Sequence, residues 1–121
     1  MKKINFVVAL KPEGMPLIDY FDLTLNTSLN IYNNLEKKIS LIISGIGVDN
    51  TIKAITKLHK IGFNKDDLWV NIGISGHKTH EIGSIYEVKK VITNEGKKAY
   101  FTNSFYNNLN TYLRILLDKI H

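Results

Sequence analysis

The chain has 121 residues, 44% of them hydrophobic, with a formal net charge of +5 and no cysteine. That length suits one domain or a piece of one, with enough apolar content for a core. Disulfides and thiolate metal sites are excluded outright. Taken in order, residues 4–10 (INFVVAL) read as a first strand, apolar through its centre. Lys11-Pro12-Glu13-Gly14 breaks it, and Pro16 suits the first turn of a short helix with Met15, Leu17, Ile18 and Phe21 on its apolar side. Residues 23–32 alternate apolar residues with Asn and Thr, a weak strand or hairpin with Asn33-Asn34 as its turn. Residues 39–43 (ISLII) form the next buried strand, and Ser44-Gly45-Ile46-Gly47 follows directly.

The spacing of Ile52, Ile55, Leu58 and Ile61 then predicts a helix over 49–61, capped by Asp49 or Asn50 and ended by Gly62. Residues 68–72 (LWVNI) are a further buried strand. Strand, glycine turn, helix and strand over 39–72 make a βαβ unit, whose strands run parallel. Gly73, Gly76 and Gly83 punctuate the loop after it, where a side chain would hinder a turn. Residues 84–93 read as a long strand, and 97–101 pair with it through an Asn94-Glu95-Gly96 turn. Leu109, Leu113, Leu116, Leu117 and Ile120 place an apolar stripe on a helix from about 105 to 121. No repeat, low-complexity segment or linker interrupts residues 1–121, which read as one domain.

The charge pattern narrows the partners. Lysine supplies every basic side chain but Arg114, in scattered pairs such as Lys37-Lys38 and Lys97-Lys98. Such scatter is a solvated surface rather than a nucleic-acid footprint. The apolar run after Met1-Lys2-Lys3 stops at Lys11-Pro12, too short for a membrane span and without a small-residue cleavage pattern. A soluble cytoplasmic protein, bound neither to nucleic acid nor to membrane, is the expectation.

Side-chain chemistry is sparse. His77, His80 and Glu81 lack the helical zinc-protease spacing and fall in a glycine-rich loop, so they read as surface polar residues and no metal is expected. Gly45-x-Gly47 has the first two glycines of a dinucleotide fingerprint, but Asn50 stands where the third belongs, and no cofactor is expected. Ser44 and Ser75 lack a G-x-S-x-G elbow. Glu13 has two readings. It can be a first-turn acid set against the helix dipole, or a general base at the mouth of a strand. In open α/β sheets ligands sit beyond the carboxyl ends of the strands, so the loops after residues 10, 43 and 72 are the expected site.

Three junctions in order carry a family resemblance: Ala9-Leu10-Lys11-Pro12-Glu13-Gly14, then Ser44-Gly45-Ile46-Gly47 before a helix, then Asn71-Ile72-Gly73-Ile74-Ser75-Gly76 with Ile82-Gly83 before a strand. Over about residues 3–92 this resembles the nucleoside phosphorylase and nucleosidase superfamily, closest to its methylthioadenosine/S-adenosylhomocysteine nucleosidase-like branch. The resemblance implies a three-layer α/β/α fold with a mixed central sheet, represented by its N-terminal half. It implies cleavage of the N-glycosidic bond of a small-molecule purine nucleoside.

Position by position, Glu13 matches the acid that activates the attacking water, with Ala9 beside it. Ile46 matches an apolar residue near the sugar, and Ile74, Ser75 and Gly76 match the loop lining the ribose and base. Ile74-Ser75-Gly76 stands where Ser-Ala-Gly is usual, and Ser84 where Asp is usual, which leaves the substrate open. The family's Met-Glu and Asp segments lie in its second half and have no counterpart here. Weak or absent hydrolysis is therefore expected, with a non-catalytic nucleoside-binding or assembly module as the alternative. Water is favoured over phosphate as acceptor, because phosphate recognition usually uses arginine and only Arg114 is present. Self-association is expected from apolar surface that the 105–121 stripe covers only in part.

Overall fold

The apolar runs do what β-prone residues flanked on both sides by helices should do. A computed structural model describes residues 3–62, 64, 66–86, 88, 90–92 and 99–101. Contacts divide the chain into two compact units, Met1–Gly76 and His77–His121. The first unit is an α/β domain with a mixed five-stranded sheet and two helices. Its elements are β1 (Ile4–Val8), α1 (Lys11–Tyr20), β2 (Thr24–Asn26), β3 (Ile31–Asn34), β4 (Ile39–Ile43), α2 (Val48–Ile61) and β5 (Leu68–Asn71). The strand order is β2-β3-β4-β1-β5.

β1 runs parallel to both β4 and β5, pairing Phe6 with Leu41 and with Val70. The three strands expected to share a sheet do so, and the βαβ crossover through α2 passes over β1, which lies between its two strands. β2, β3 and β4 are antiparallel neighbours.

Alternation along β1 sends its side chains to two faces. On one face Phe6 stacks on Phe21 at 6.0 Å, and α1 lies close to the strands. Gly14 of α1 makes that approach: a Cβ there would come within 3.1 Å of Val8 and 3.3 Å of Leu41. On the other face Val7 and Ile42 meet Ala54 and Leu58 of α2, with Ile31 completing the cluster. Each of the buried Val, Ile and Leu side chains among these contributes about 1.5–3 kcal/mol relative to exposure. Asn5, on the same face as Val7, is the exception: it is 1% exposed, and neither of its amide atoms has a hydrogen-bond partner.

Several boundaries differ from the sequence reading. α1 begins at Lys11, so Lys11-Pro12-Glu13-Gly14 is its first turn rather than a break. Proline is tolerated there because first-turn N–H groups have no helical partner. The hairpin turns at residues 27–30, not at Asn33-Asn34, which belong to β3. Asn26 holds that turn, its side chain accepting from Leu29 N at 3.2 Å, while Asn30 takes a left-handed φ of 54°. α2 starts at Val48 with Gly47 as its cap, so neither Asp49 nor Asn50 caps it.

In the second unit only β6 (Lys90–Ile92) and β7 (Ala99–Phe101) are strands among the described residues, and they pair antiparallel. Residues 84–86, expected to open a long strand, are not in one. The 94–96 turn and the 105–121 helix lie outside the described residues. Among the described residues no helix is long and apolar enough to cross a membrane.

Candidate functional site

Parallel strands end on the same side, so the segments leaving β1, β4 and β5 emerge at one edge of the sheet. Past β1 and β4 the ladder continues for two residues: Ser44 N donates to Val8 O at 2.8 Å, and Gly45 N donates to Ala9 O at 3.0 Å. Ile72 N donates to Val7 O at 3.3 Å on the other side of β1.

Glu13 ties these segments together. It is the third residue of α1, and its Oε2 accepts from Leu10 N at 2.9 Å and from Ala9 N at 3.1 Å. Leu10 caps the helix but has no side-chain acceptor; its carbonyl accepts from Glu13 N at 3.1 Å, and the carboxylate is the side-chain acceptor at this terminus, favourably placed against the helix dipole. Its second oxygen, Oε1, accepts from Ile74 N at 3.1 Å, from a residue 61 positions away. One half-buried carboxylate thus holds the end of β1, the start of α1 and the loop after β5.

The 44–47 turn is shaped by backbone demands. Gly45 and Gly47 have φ of 85° and 99°, in the region that favours glycine. A Cβ on Gly45 would also press on the Asn50 amide at 3.2 Å, which itself donates to Ile46 O at 2.7 Å. Ser44 turns its hydroxyl back to Gly45 O at 2.7 Å. Ile46 is left at the tip, 72% exposed.

The structure therefore brings Ala9, Glu13 and Ile74 into one hydrogen-bonded group, with Ile46 next to Gly45, which bonds Ala9. Ser75 and Gly76 follow Ile74 on an exposed stretch, and Ile74 itself is 81% exposed. These residues rim an open edge. A depression of about 360 Å³ lies at the opposite end of the strands, lined by Lys3, Lys38, Ser40, Gly62 and Asp67 among others. Asp67 there is engaged by the backbone N–H groups of Lys3 and Asn64. Among the described residues no group of three or more His, Asp or Glu could hold a metal ion.

Sequence reasoning singled out Glu13 but missed its third bond. Its position three residues after the cap is the capping-box spacing, which signals the local pair. The bond to Ile74 has no local signal, because its donor is a backbone group in a distant loop. Comparisons with protein-family models, curated proteins and solved structures give no match for this chain.

Proposed function

We propose that this chain is a nucleosidase-type member of the nucleoside phosphorylase and nucleosidase superfamily, corresponding to the N-terminal half of a three-layer α/β/α fold, with weak or absent cleavage of the N-glycosidic bond of a purine nucleoside. The observation that carries this reading is the Glu13 Oε1 to Ile74 N bond, which sets the strand-end acid beside the loop that would line the ribose. In this reading water attacks the anomeric carbon, the bond to the base breaks, and the base departs as an anion that takes its proton from solvent. Glu13 orients the water, takes up its proton and returns it to solvent; Ala9 lies beside Glu13, Ile46 lies near the sugar, and Ile74, Ser75 and Gly76 line the ribose and base side. An ionised carboxylate offers about four lone-pair sites, so three backbone bonds leave Glu13 room for one water.

A second reading is favoured by the same bonds. A carboxylate engaged by three N–H donors is a good structural fastener and a hindered base, which suits a module that binds a nucleoside without turning it over. Incubation of the purified chain with methylthioadenosine, S-adenosylhomocysteine and inosine, with free base followed by chromatography, separates the two. Base release that falls about 10²–10⁴-fold in Glu13→Gln supports hydrolysis through Glu13. Saturable nucleoside binding without release supports the module. Neither binding nor release refutes both.

A further inference from the structure

The unpartnered amide of Asn5 lies beside the depression at the amino ends of the strands. Ser40 of β4 lines that depression and pairs in register with Asn5 of β1. Alternation along the two strands puts both side chains on the face of Val7 and Ile42, which α2 covers. Gly62, the C-cap of α2, also lines the depression. Asn5 and Ser40 are the buried polar side chains among the described residues, and both Asn5 amide atoms lack a partner. A buried amide left unpaired calls for a physical reason, and a molecule bound in an adjoining cavity is one.

The charges around the depression narrow what that molecule is. Lys38, Lys3 and Asp67 stand directly before β4, β1 and β5, whose first residues are in register. Two positive charges and one negative therefore form a row along this end of the sheet. Asp67 already accepts from the N–H groups of Lys3 and Asn64, one on each oxygen. Among the described residues the ion pair joins Lys37 to Asp22, so Lys3 and Lys38, both half-buried, have no carboxylate partner there. One further negative charge balances the row. The carbonyl end of α2 adds partial negative charge, which weighs against a dianion such as phosphate. Leu35 and Ile39 give the wall an apolar stretch. Its volume of about 360 Å³ is at the small end for a ligand cleft.

We propose that this depression binds a small monocarboxylate with a short apolar body. The carboxylate sits between Lys3 and Lys38, and the apolar body lies along Leu35 and Ile39. On binding, the Ser40 hydroxyl donates to a carboxylate oxygen and accepts from Asn5 Nδ2, which gives the buried amide the partner it lacks. Asn5 is thus a positioning residue that acts through Ser40. The site lies at the opposite end of the strands from Glu13 and stands independently of the nucleosidase reading.

The test is an NMR titration of the whole chain at neutral pH and constant ionic strength, with hexanoate, hexanol and inorganic phosphate as probes. Hexanoate should shift the Ser40 backbone amide and the Asn5 side-chain amide saturably, with a dissociation constant of about 1–10 mM, as suits so small a ligand. Hexanol, which keeps the apolar body and drops the charge, and phosphate, which does the reverse, should both bind more weakly. Lys38→Gln should weaken hexanoate binding several-fold. Asn5→Val should raise the melting temperature of the free chain and yet weaken hexanoate binding about tenfold, a split that a purely structural role would not produce. Ser40→Ala, which deletes only a hydroxyl, should weaken it to a similar extent and gives the same reading should Asn5→Val fail to fold. No saturable shift by about 50 mM hexanoate would overturn the site. So would hexanol or phosphate binding as tightly as hexanoate, or hexanoate binding unchanged in Asn5→Val or in Ser40→Ala.

Discussion

Glu13 joins positions that are far apart in sequence through backbone donors, and its replacement should register in two measurements. In Glu13→Gln one carboxylate oxygen becomes an NH₂ group that must face an N–H donor on one side or the other. Charge-assisted bonds are lost together, so unfolding free energy from urea titration should fall by about 1–2 kcal/mol. The Ile74 amide should exchange faster in the variant, which ties the loss to the long-range bond rather than to the helix cap. An unchanged Ile74 exchange rate would refute the fastening role. Asn5 poses the opposite case. Burying an amide without partners is unfavourable, and Asn5 sits in an interior strand, in register with Ser40 on one side and Trp69 on the other. Asn5→Val keeps strand propensity and removes two unpaired polar atoms. It should raise stability by about 1–2 kcal/mol in the same titration. Destabilisation would show that the amide has a partner, such as an internal water, which the apolar side chain cannot replace.

At the scale of elements, α1 ends with a left-handed residue that is not glycine. Asp22 has φ of 53°, and Leu23 N closes onto Ile18 O at 2.9 Å, the bond of a Schellman ending. Ile18 and Leu23, both buried, supply the hydrophobic contact that accompanies it. Asp22 also pairs with Lys37 at 3.3 Å, but the carboxylate side is 80% exposed, so the pair adds little. Asp22→Gly relieves the steric cost of the conformation and should stabilise the fold by about 0.5–1 kcal/mol, read as a higher melting temperature. A lower melting temperature would mean the ion pair outweighs the backbone term. The same stretch explains what the sequence reveals and what it hides. β1, β4 and β5 are legible because buried parallel strands need continuous apolar runs, and INFVV, ISLII and LWVN supply them. The start of α1 is hidden because Pro12 and Gly14 look like breakers. Pro12 is harmless in the first turn, and Gly14 is required by the close approach to Val8 and Leu41, a tertiary fact. The hairpin turn is misplaced for a similar reason: Asn34 looks like a turn residue, but its amide donates to Phe21 O at 3.1 Å and its carbonyl accepts from Lys37 N at 3.1 Å. Of the candidate site, the strand-end placement follows from topology alone, whereas the grip of Glu13 on Ile74 exists only in three dimensions.

For the whole molecule the outstanding feature of the first unit is apolar surface left in water. Ala54 and Leu58 are the face of α2 that meets the sheet. Val48, Ile52 and Ile55 fall one turn apart on a neighbouring face and are 69%, 57% and 38% exposed. Ile46 precedes them, also exposed. Among the described residues β5 pairs with β1 only. An exposed apolar helix face of this kind is a template for another subunit. We expect a second copy of this chain to use it, since such a symmetric contact would cover the same residues on both partners. The net charge of +5 opposes association through long-range repulsion, so self-association should strengthen as salt screens it. Sedimentation over a range of concentrations should give a weight-average mass that rises above the 13.8 kDa of one chain, more so at higher salt. Ile52→Lys places a charge in the middle of the apolar face without touching the core. It should return the mass to that of the monomer while leaving the thermal unfolding transition in place. A wild type that stays at 13.8 kDa throughout would refute the interface, and so would an Ile52→Lys variant that associates as strongly as the wild type.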